Sequence, residues 1–497
     1  MNLLTLKNLI YSLSKGEKKS FSLLAGMQEG DKKYLKLYEY LLMSKDIDVE
    51  SLEKSYTKNG LESARKHLYY NLMKALRQAE NDKNIENRLI NDLKDTQILH
   101  RKGFVKESFE YLDKIKQTAL SNELYPCFLM AARLELQYLT RLQLAGLDEF
   151  ELIKKQRKIE EILEHEMQVH RHSSLHEIIL IRYWRKGTVN SLQEKTKLND
   201  LLLEEYNILN NRNYRSFESQ KLHLNFQSAY FMMIGDNEGS LKIFYELDSL
   251  FQRNTHLWTD SPTYYIFLLD GILTDLCAME RFDEMPFFVN QLKNISSDSQ
   301  DLNWQIELLT LHHQLTISNH KDQFENAAKF LEVQKEFIEK LTTNTPFNSQ
   351  AQLCLTIAIT HFWQQEYKQT LRFLNFILNN YRNTFSYQIY VQSRFLFLIT
   401  QYELANFDYL RYEIRSFERK LKADKQESFL ENLLLDILKK LIQNQKNTSK
   451  IFENFQEKLK DLDASSDQQR ILKVLQIEHW FKIKNANFAL VDRICQT

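Results

Sequence analysis

Between Ala351 and Leu421, apolar and polar positions alternate with a helical period that is interrupted at regular intervals. The stretch AQLCLTIAITHFWQQ predicts a helix that stops at Glu366-Tyr367. In KQTLRFLNFILNNY, Leu371, Leu374, Leu378 and Tyr381 recur at spacings of three and four, which predicts one buried face. A turn at Arg382-Asn383-Thr384 leads into SYQIYVQSRFLFLITQYELA, and a break at Asn406-Phe407 follows. The last helix of the stretch is expected to bury Leu410, Ile414, Phe417 and Leu421. Two helical hairpins in tandem are the pattern of an α-solenoid.

Residues 1–85 carry shorter helices. Ser14-Lys-Gly-Glu17 fits a capping box ahead of a helix at Lys18–Leu24, and a turn is expected over Gly26–Gly30. Asp31 is placed to cap DKKYLKLYEYLLM, with Tyr34, Leu37, Tyr38 and Leu41 on one face. Asp48 or its neighbour is expected to start another helix, and Gly60 to separate it from LESARKHLYYNLMKALRQAEN. This segment reads either as a cap on the first end of the array or as a small helix-turn-helix-like module. From residue 86 to 497 helix and break alternate. The breaks are Lys102-Gly103-Phe104, Ala145-Gly146-Leu147, Lys186-Gly187-Thr188, Ile234-Gly235-Asp236, Glu280-Arg281-Phe282, Asn319-His320-Lys321, Glu366-Tyr367, Asn406-Phe407 and Asn485-Ala486-Asn487. A further break is expected near Lys446–Ser449, which gives units of about 40–45 residues.

Gly103–Ile115, Gly235–Phe251 and Glu366–Leu378 share one arrangement. A small residue follows the break and a large apolar one follows four places later: Ser108 and Leu112, Ser240 and Phe244, Thr370 and Leu374. From about residue 90 onward the chain resembles the tetratricopeptide-like superfamily in its inter-helix turn and second helix. The resemblance implies a right-handed superhelix of about nine or ten hairpins, with first helices lining a concave peptide-binding surface. The units exceed that family's 34 residues, which adds roughly one turn to each helix at 1.5 Å per residue.

Composition agrees with an all-α chain. Gly and Pro together are scarce in the 497 residues, 10 and 4, whereas strands and long loops need such punctuation. Lys+Arg and Asp+Glu both number 66, so attraction to nucleic acid or acidic membrane would have to come from local patches. Cys127, Cys277, Cys354 and Cys495 lie far apart, without a CxxC pair, and read as reduced thiols of a cytoplasmic protein. The N-terminus meets Lys7 and Asn8 before a signal-peptide stretch can form, and no segment has the apolar length of a membrane span.

Candidate chemistry is sparse. His165, His170, His172 and His176 crowd one stretch, but Glu166 and His170 miss the H-E-x-x-H spacing of a zinc protease. That stretch reads as a polar helix end entering a loop at Ser173-Ser174. His312-His313 is expected to place one ring in the core and one in solvent. Phosphate-loop, dinucleotide and nucleophile-elbow motifs are lacking, so neither catalysis nor a metal or cofactor is expected.

Basic-aromatic clusters are the better candidates for binding. Arg182, Tyr183, Trp184, Arg185 and Lys186 close one helix, and Arg212, Tyr214 and Arg215 sit in the next turn. Such groups clamp carboxylates or phosphates and stack on flat partners, or else cover a helix end and pack the next unit. Arg411, Arg415 and Arg419 form a stripe beside Glu413 and Glu418. In the N-terminal module Lys15, Lys18, Lys19, Lys32, Lys33 and Lys36 surround Phe21 and Tyr34, a pattern for phosphate contact or for a solvated cap.

The expected function is non-catalytic binding of a protein or peptide by a helical-repeat scaffold. The alternatives are a nucleic-acid-associated regulator, whose 1–85 module touches phosphates, and a structural homo-oligomer pairing through Trp480 and Phe481 of the last unit.

Overall fold

The computed structural model describes residues 2–26, 33–44, 47–80, 84–186, 189, 195–209, 216–259, 261–297, 299–341, 348–380, 386–423, 429–443, 448–459 and 467–484. Among these residues every regular element is a helix, and no helix is long and apolar enough to cross a membrane. The chain divides into two compact units, Met1–Glu164 and His165–Thr497.

The first unit holds two apolar clusters. Ser14 Oγ accepts the Glu17 N–H and Glu17 Oε2 accepts the Ser14 N–H, at 3.2 and 2.7 Å, closing the expected capping box. The helix it starts runs Lys15–Gly26, longer than the spacing suggested. Tyr34, Leu37, Tyr38 and Leu41 are buried together on the Lys33–Met43 helix, and Asp48 caps the next helix through the Ser51 N–H. The following helix is Lys58–Glu80, so Gly60 lies inside its first turn. Thr57 Oγ1 takes the Gly60 N–H and makes the start there, which the glycine alone did not reveal. The positions of Gly30, Asp31 and Lys32 lie outside the described residues. A second cluster is built by Ile85–Arg101, Val105–Ser121 and Tyr125–Arg141, each packed on the next, with Ile159 and Ile162 from the Glu149–Lys186 helix.

In the second unit, consecutive helices pack on one another from Phe217–Ile234 through Asn237–Arg253, Thr263–Ala278, Met285–Asn294 and Gln300–His320. The order continues through Asn348–Trp363, Tyr387–Glu403 and Phe407–Ala423 to Phe429–Gln443. Alternate members also touch: Thr263–Ala278 meets Gln300–His320, which meets Asn348–Trp363, which meets Tyr387–Glu403. These inner helices are buried on most sides, polar residues such as His312, His313, Ser393 and Gln401 included. On Asn348–Trp363 the run Leu353, Cys354, Leu355, Thr356, Ile357, Ala358 and Ile359 is buried without interruption. The outer helices bury one stripe. Leu410, Ile414, Phe417 and Leu421 are all buried as the spacing required. On Tyr367–Asn380 the buried face centres on Thr370, Phe373, Leu374 and Ile377, one position away from the expected line, with Leu371 and Leu378 at its margin.

One turn geometry recurs between paired helices. A residue in the left-handed region ends the first helix, and the next N–H reaches back to the carbonyl five residues earlier, as in a Schellman cap. Phe104 bonds Leu99, Asp236 bonds Phe231, Arg281 bonds Leu276, Gln323 bonds Ser318, Glu366 bonds His361 and Asn406 bonds Gln401, all at 2.8–3.1 Å. The left-handed residues are Gly103, Gly235, Glu280, Asp322, Gln365 and Ala405. From Asp236 to Asn406 the closing residue returns every 40–45 residues. Four places beyond each closing residue stands a side chain with 0 % exposure: Ser108, Ser240, Met285, Ala327, Thr370 and Leu410. That site lies in the first turn of the outer helix, where it approaches its partner.

Candidate interaction surface

Directly after the closing residue of four successive turns comes an aromatic: Phe282, Phe324, Tyr367 and Phe407. The turn fixes the backbone, and the ring then packs on the end of an inner helix. Phe282 stacks on His320 at 4.7 Å between ring centres, and Phe324 on Trp363 at 6.2 Å. Tyr367 meets Phe362 and Phe407 meets Tyr402. Glu280 and Asp322 lie near His320, on which Phe282 stacks, and Glu403 accepts a hydrogen bond from Tyr367. The result is an edge with an aromatic floor and carboxylates along it.

The C-terminal segment lies on this edge. Residues 477–484 are helical and follow the Asp467–Val474 helix. Lys473 Nζ is 3.0 Å from Glu280, and Gln476 Nε2 donates to the Asn319 carbonyl at 2.9 Å. His479 packs edge-on against Trp363 at 5.0 Å. Trp480 Nε1 and Lys484 Nζ both reach Glu403, each at 2.6 Å. Trp480 and Phe481 are 4 and 5 % exposed, packed into the main core beside Phe455. The pairing surface expected of them in a homo-oligomer is turned inward, because both rings complete this chain's own core.

The remaining sequence candidates are dispersed. Arg182 forks onto Asp200, with Nη2 2.8 Å from Oδ2, and the half-buried Tyr183 packs against the cluster around Leu175 and Ile179. Trp184, Arg185 and Lys186 continue the helix backbone; Arg212, Tyr214 and Arg215 lie outside the described residues. Lys15, Lys19, Lys33 and Lys36 are exposed and Lys18 is half-buried on the N-terminal helices. Arg411 pairs with Asp408, and Arg419 Nε donates to the Arg415 carbonyl.

The histidine stretch is not a helix end. It lies within the 38-residue helix Glu149–Lys186, which runs on through Ser173 and Ser174. His165 Nε2 is 2.7 Å from Ser216 Oγ, and His172 is fully buried, 6.2 Å from the ring of His223, which pairs with Glu205 at 2.7 Å. Burial pushes His172 and His176 down to about 4, helped by His223 and by Lys221 respectively. Among the described residues no three His, Cys, Asp or Glu side chains are grouped to hold a metal ion. His312 and His313 are both buried, since their helix is covered on both faces: His312 Nδ1 is 2.9 Å from Thr356 Oγ1, and His313 Nε2 is 2.7 Å from Asp270 Oδ1.

Two open cavities sit elsewhere. One of about 500 Å³ lies between Phe217–Ile234 and Asn237–Arg253, lined by Gln220, His223, Gln227, Tyr245 and Arg253. The other, about 540 Å³, lies in the first unit over Phe128, Leu136 and Ile159, beside Lys116, Glu135 and Lys155. Comparison of the chain with protein-family models, with curated proteins and with solved structures gave no match.

Proposed function

We propose that the chain is a tetratricopeptide-like, right-handed α-solenoid that binds a protein or peptide without catalysis. The observation that carries this reading is the recurring turn, with its closing hydrogen bond and its fully buried residue four places on. Identical joints at 40–45-residue intervals build stacked hairpins in which each pair is stabilised by its neighbours. Such stacking holds surface side chains in place before a partner arrives, which lowers the ordering cost of binding. The inner helices between Gln350 and Gln401 are largely covered, so here the concave face offers little open surface. The cavity beside His223 and Arg253, the cavity beside Lys116 and Lys155 and the aromatic turn edge are candidate surfaces for a ligand. The test is affinity capture of the tagged full-length protein from its native cells, with and without nuclease. A stoichiometric protein partner that survives nuclease supports the scaffold. Recovery that collapses with nuclease overturns it in favour of a nucleic-acid-associated regulator.

A further inference from the structure

We infer that the turn edge formed by Glu280, Asn319, Asp322, Trp363 and Glu403 is a docking surface for a basic helix carrying an indole four residues before a lysine, and that residues 473–484 are its built-in occupant. The inference rests on the protein-binding reading above and names the ligand chemistry of one surface. Three features of the contact carry it.

The segment follows the edge in order: Lys473 meets the first turn, Gln476 and His479 the next ones, and Trp480 and Lys484 the last. The edge therefore reads the end of one helix, a left-handed turn at Gln476 and the helix 477–484 side chain by side chain. Glu403 sets the strictest requirement. Its side chain is only 9 % exposed, and apart from Tyr367 on the edge itself its partners are the indole N–H of Trp480 and the ammonium of Lys484. A carboxylate so buried needs a cation and a donor from whatever covers it.

The occupant also fits imperfectly. Trp363 Nε1 and Gln476 Oε1 are buried without a hydrogen-bond partner among the described residues, and the outer contacts Lys473–Glu280 and His479–Asp322 are open to solvent. A partner helix that offers Trp363 an acceptor gains a hydrogen bond the built-in segment lacks.

The probe is a fluorescein-labelled peptide of residues 471–484, titrated into the full-length protein and read by anisotropy. The tethered segment competes at an effective concentration on the order of millimolar, so the native protein should resist micromolar peptide. The double variant Gln476→Ala/Lys484→Ala weakens the occupant while sparing Trp480 and Phe481, and it should bind peptide at least tenfold more tightly. Adding Glu403→Gln should erase that gain. Equal binding by all three proteins at native helicity, or a gain that survives Glu403→Gln, overturns the inference. If the variants do not fold, hydrogen exchange on the native protein decides. Millimolar peptide should speed exchange across residues 475–484, and unchanged exchange overturns the assignment. A nuclease-resistant partner in the capture experiment without displacement by the peptide sinks this surface alone and leaves the scaffold standing.

Discussion

The ring of Phe244 lies against the backbone of Gly271, so close that a Cβ built on Gly271 would fall 2.5 Å from Phe244 Cζ. Gly271 sits inside the Thr263–Ala278 helix, where alanine would ordinarily be worth about 1 kcal/mol more than glycine. Phe244 is itself 7 % exposed and has little room to withdraw. Overpacking therefore wins. Gly271→Ala should destabilise the second unit by about 1–3 kcal/mol, read as a lowered urea midpoint. Combining it with Phe244→Leu should recover part of the loss, because the two changes share one contact.

The recurring turn makes opposite demands on two residue types. Ala405 holds φ 56° and is exposed, with nothing but backbone geometry asked of it. Ala405→Gly should stabilise by roughly 0.5–1 kcal/mol, since a left-handed alanine is strained and a glycine is not. Gly235, at φ 75°, is the reverse case, and Gly235→Ala should cost about 1 kcal/mol. Thermal unfolding of the two variants checks both signs; a destabilised Ala405→Gly would show that the turn is held by something other than its caps.

Much of this fold was legible. The amphipathic stripe of Phe407–Ala423, the capping box at Ser14 and the small residues Ser108, Ser240 and Thr370 follow from local spacing, and local spacing is printed in the chain. Glycine was a poorer guide. Glu280, Asp322, Gln365 and Ala405 make the same left-handed turn without it, while Gly60 and Gly271 lie inside helices. The paired burial of His312 and His313 depends on helices more than forty residues away, through Thr356 and Asp270. The seating of the C-terminal segment is more remote still: Gln476 and Asn319 are 157 residues apart, and residues 477–484 carry no local sign of where they dock. Of the candidate binding residues, Arg182 was visible as a cation, but its partner Asp200 was not.

Acid should loosen the second unit through its buried imidazoles. His172 and His176 are pushed down to about 4, so the fold favours their neutral forms, while the unfolded chain takes up protons near pH 6.5. Their contribution is intact above pH 6.5 and is lost as pH falls from 6.5 toward 4. The loss by pH 5 should be about 1–2 kcal/mol per histidine. Glu166, held above the usual carboxylate range by burial and Glu218, binds its proton more readily in the fold and offsets part of this. Urea midpoints at pH 7 and 5 measure the effect, and His172→Gln should flatten the dependence.

Thiol chemistry should separate the cysteines in the native protein. Burial pushes Cys354 up to about 12 and also raises Cys127, with Glu86 adding to the latter. Cys277 is half-buried. Since the thiolate is the reactive form, iodoacetamide at pH 8 should modify Cys277 well before Cys127 or Cys354, as peptide mapping would show. Early labelling of Cys354 would mean that its helix opens readily.

Glu135 ties together three helices of the first unit. Its carboxylate, 8 % exposed, sits 2.6 Å from Lys116 Nζ and 2.7 Å from Lys155 Nζ, which come from the helices before and after its own. Asp113 and Glu135 hold the Lys116 ammonium above its usual value against the opposing effect of burial. Removing the carboxylate leaves two cations facing each other at the cavity wall, and truncating one member of such a buried set costs about 3–5 kcal/mol. Glu135→Ala should fall in the lower part of that range, because Lys116 keeps Asp113 at 2.8 Å and Lys155 is partly exposed. Lys155 is 32 % exposed, so Lys155→Ala should cost no more than about 1 kcal/mol. Charge attraction, rather than packing, is then tested by salt. The penalty of Glu135→Ala should persist at 0.5 M NaCl, since a buried set is poorly screened, while that of Lys155→Ala should shrink.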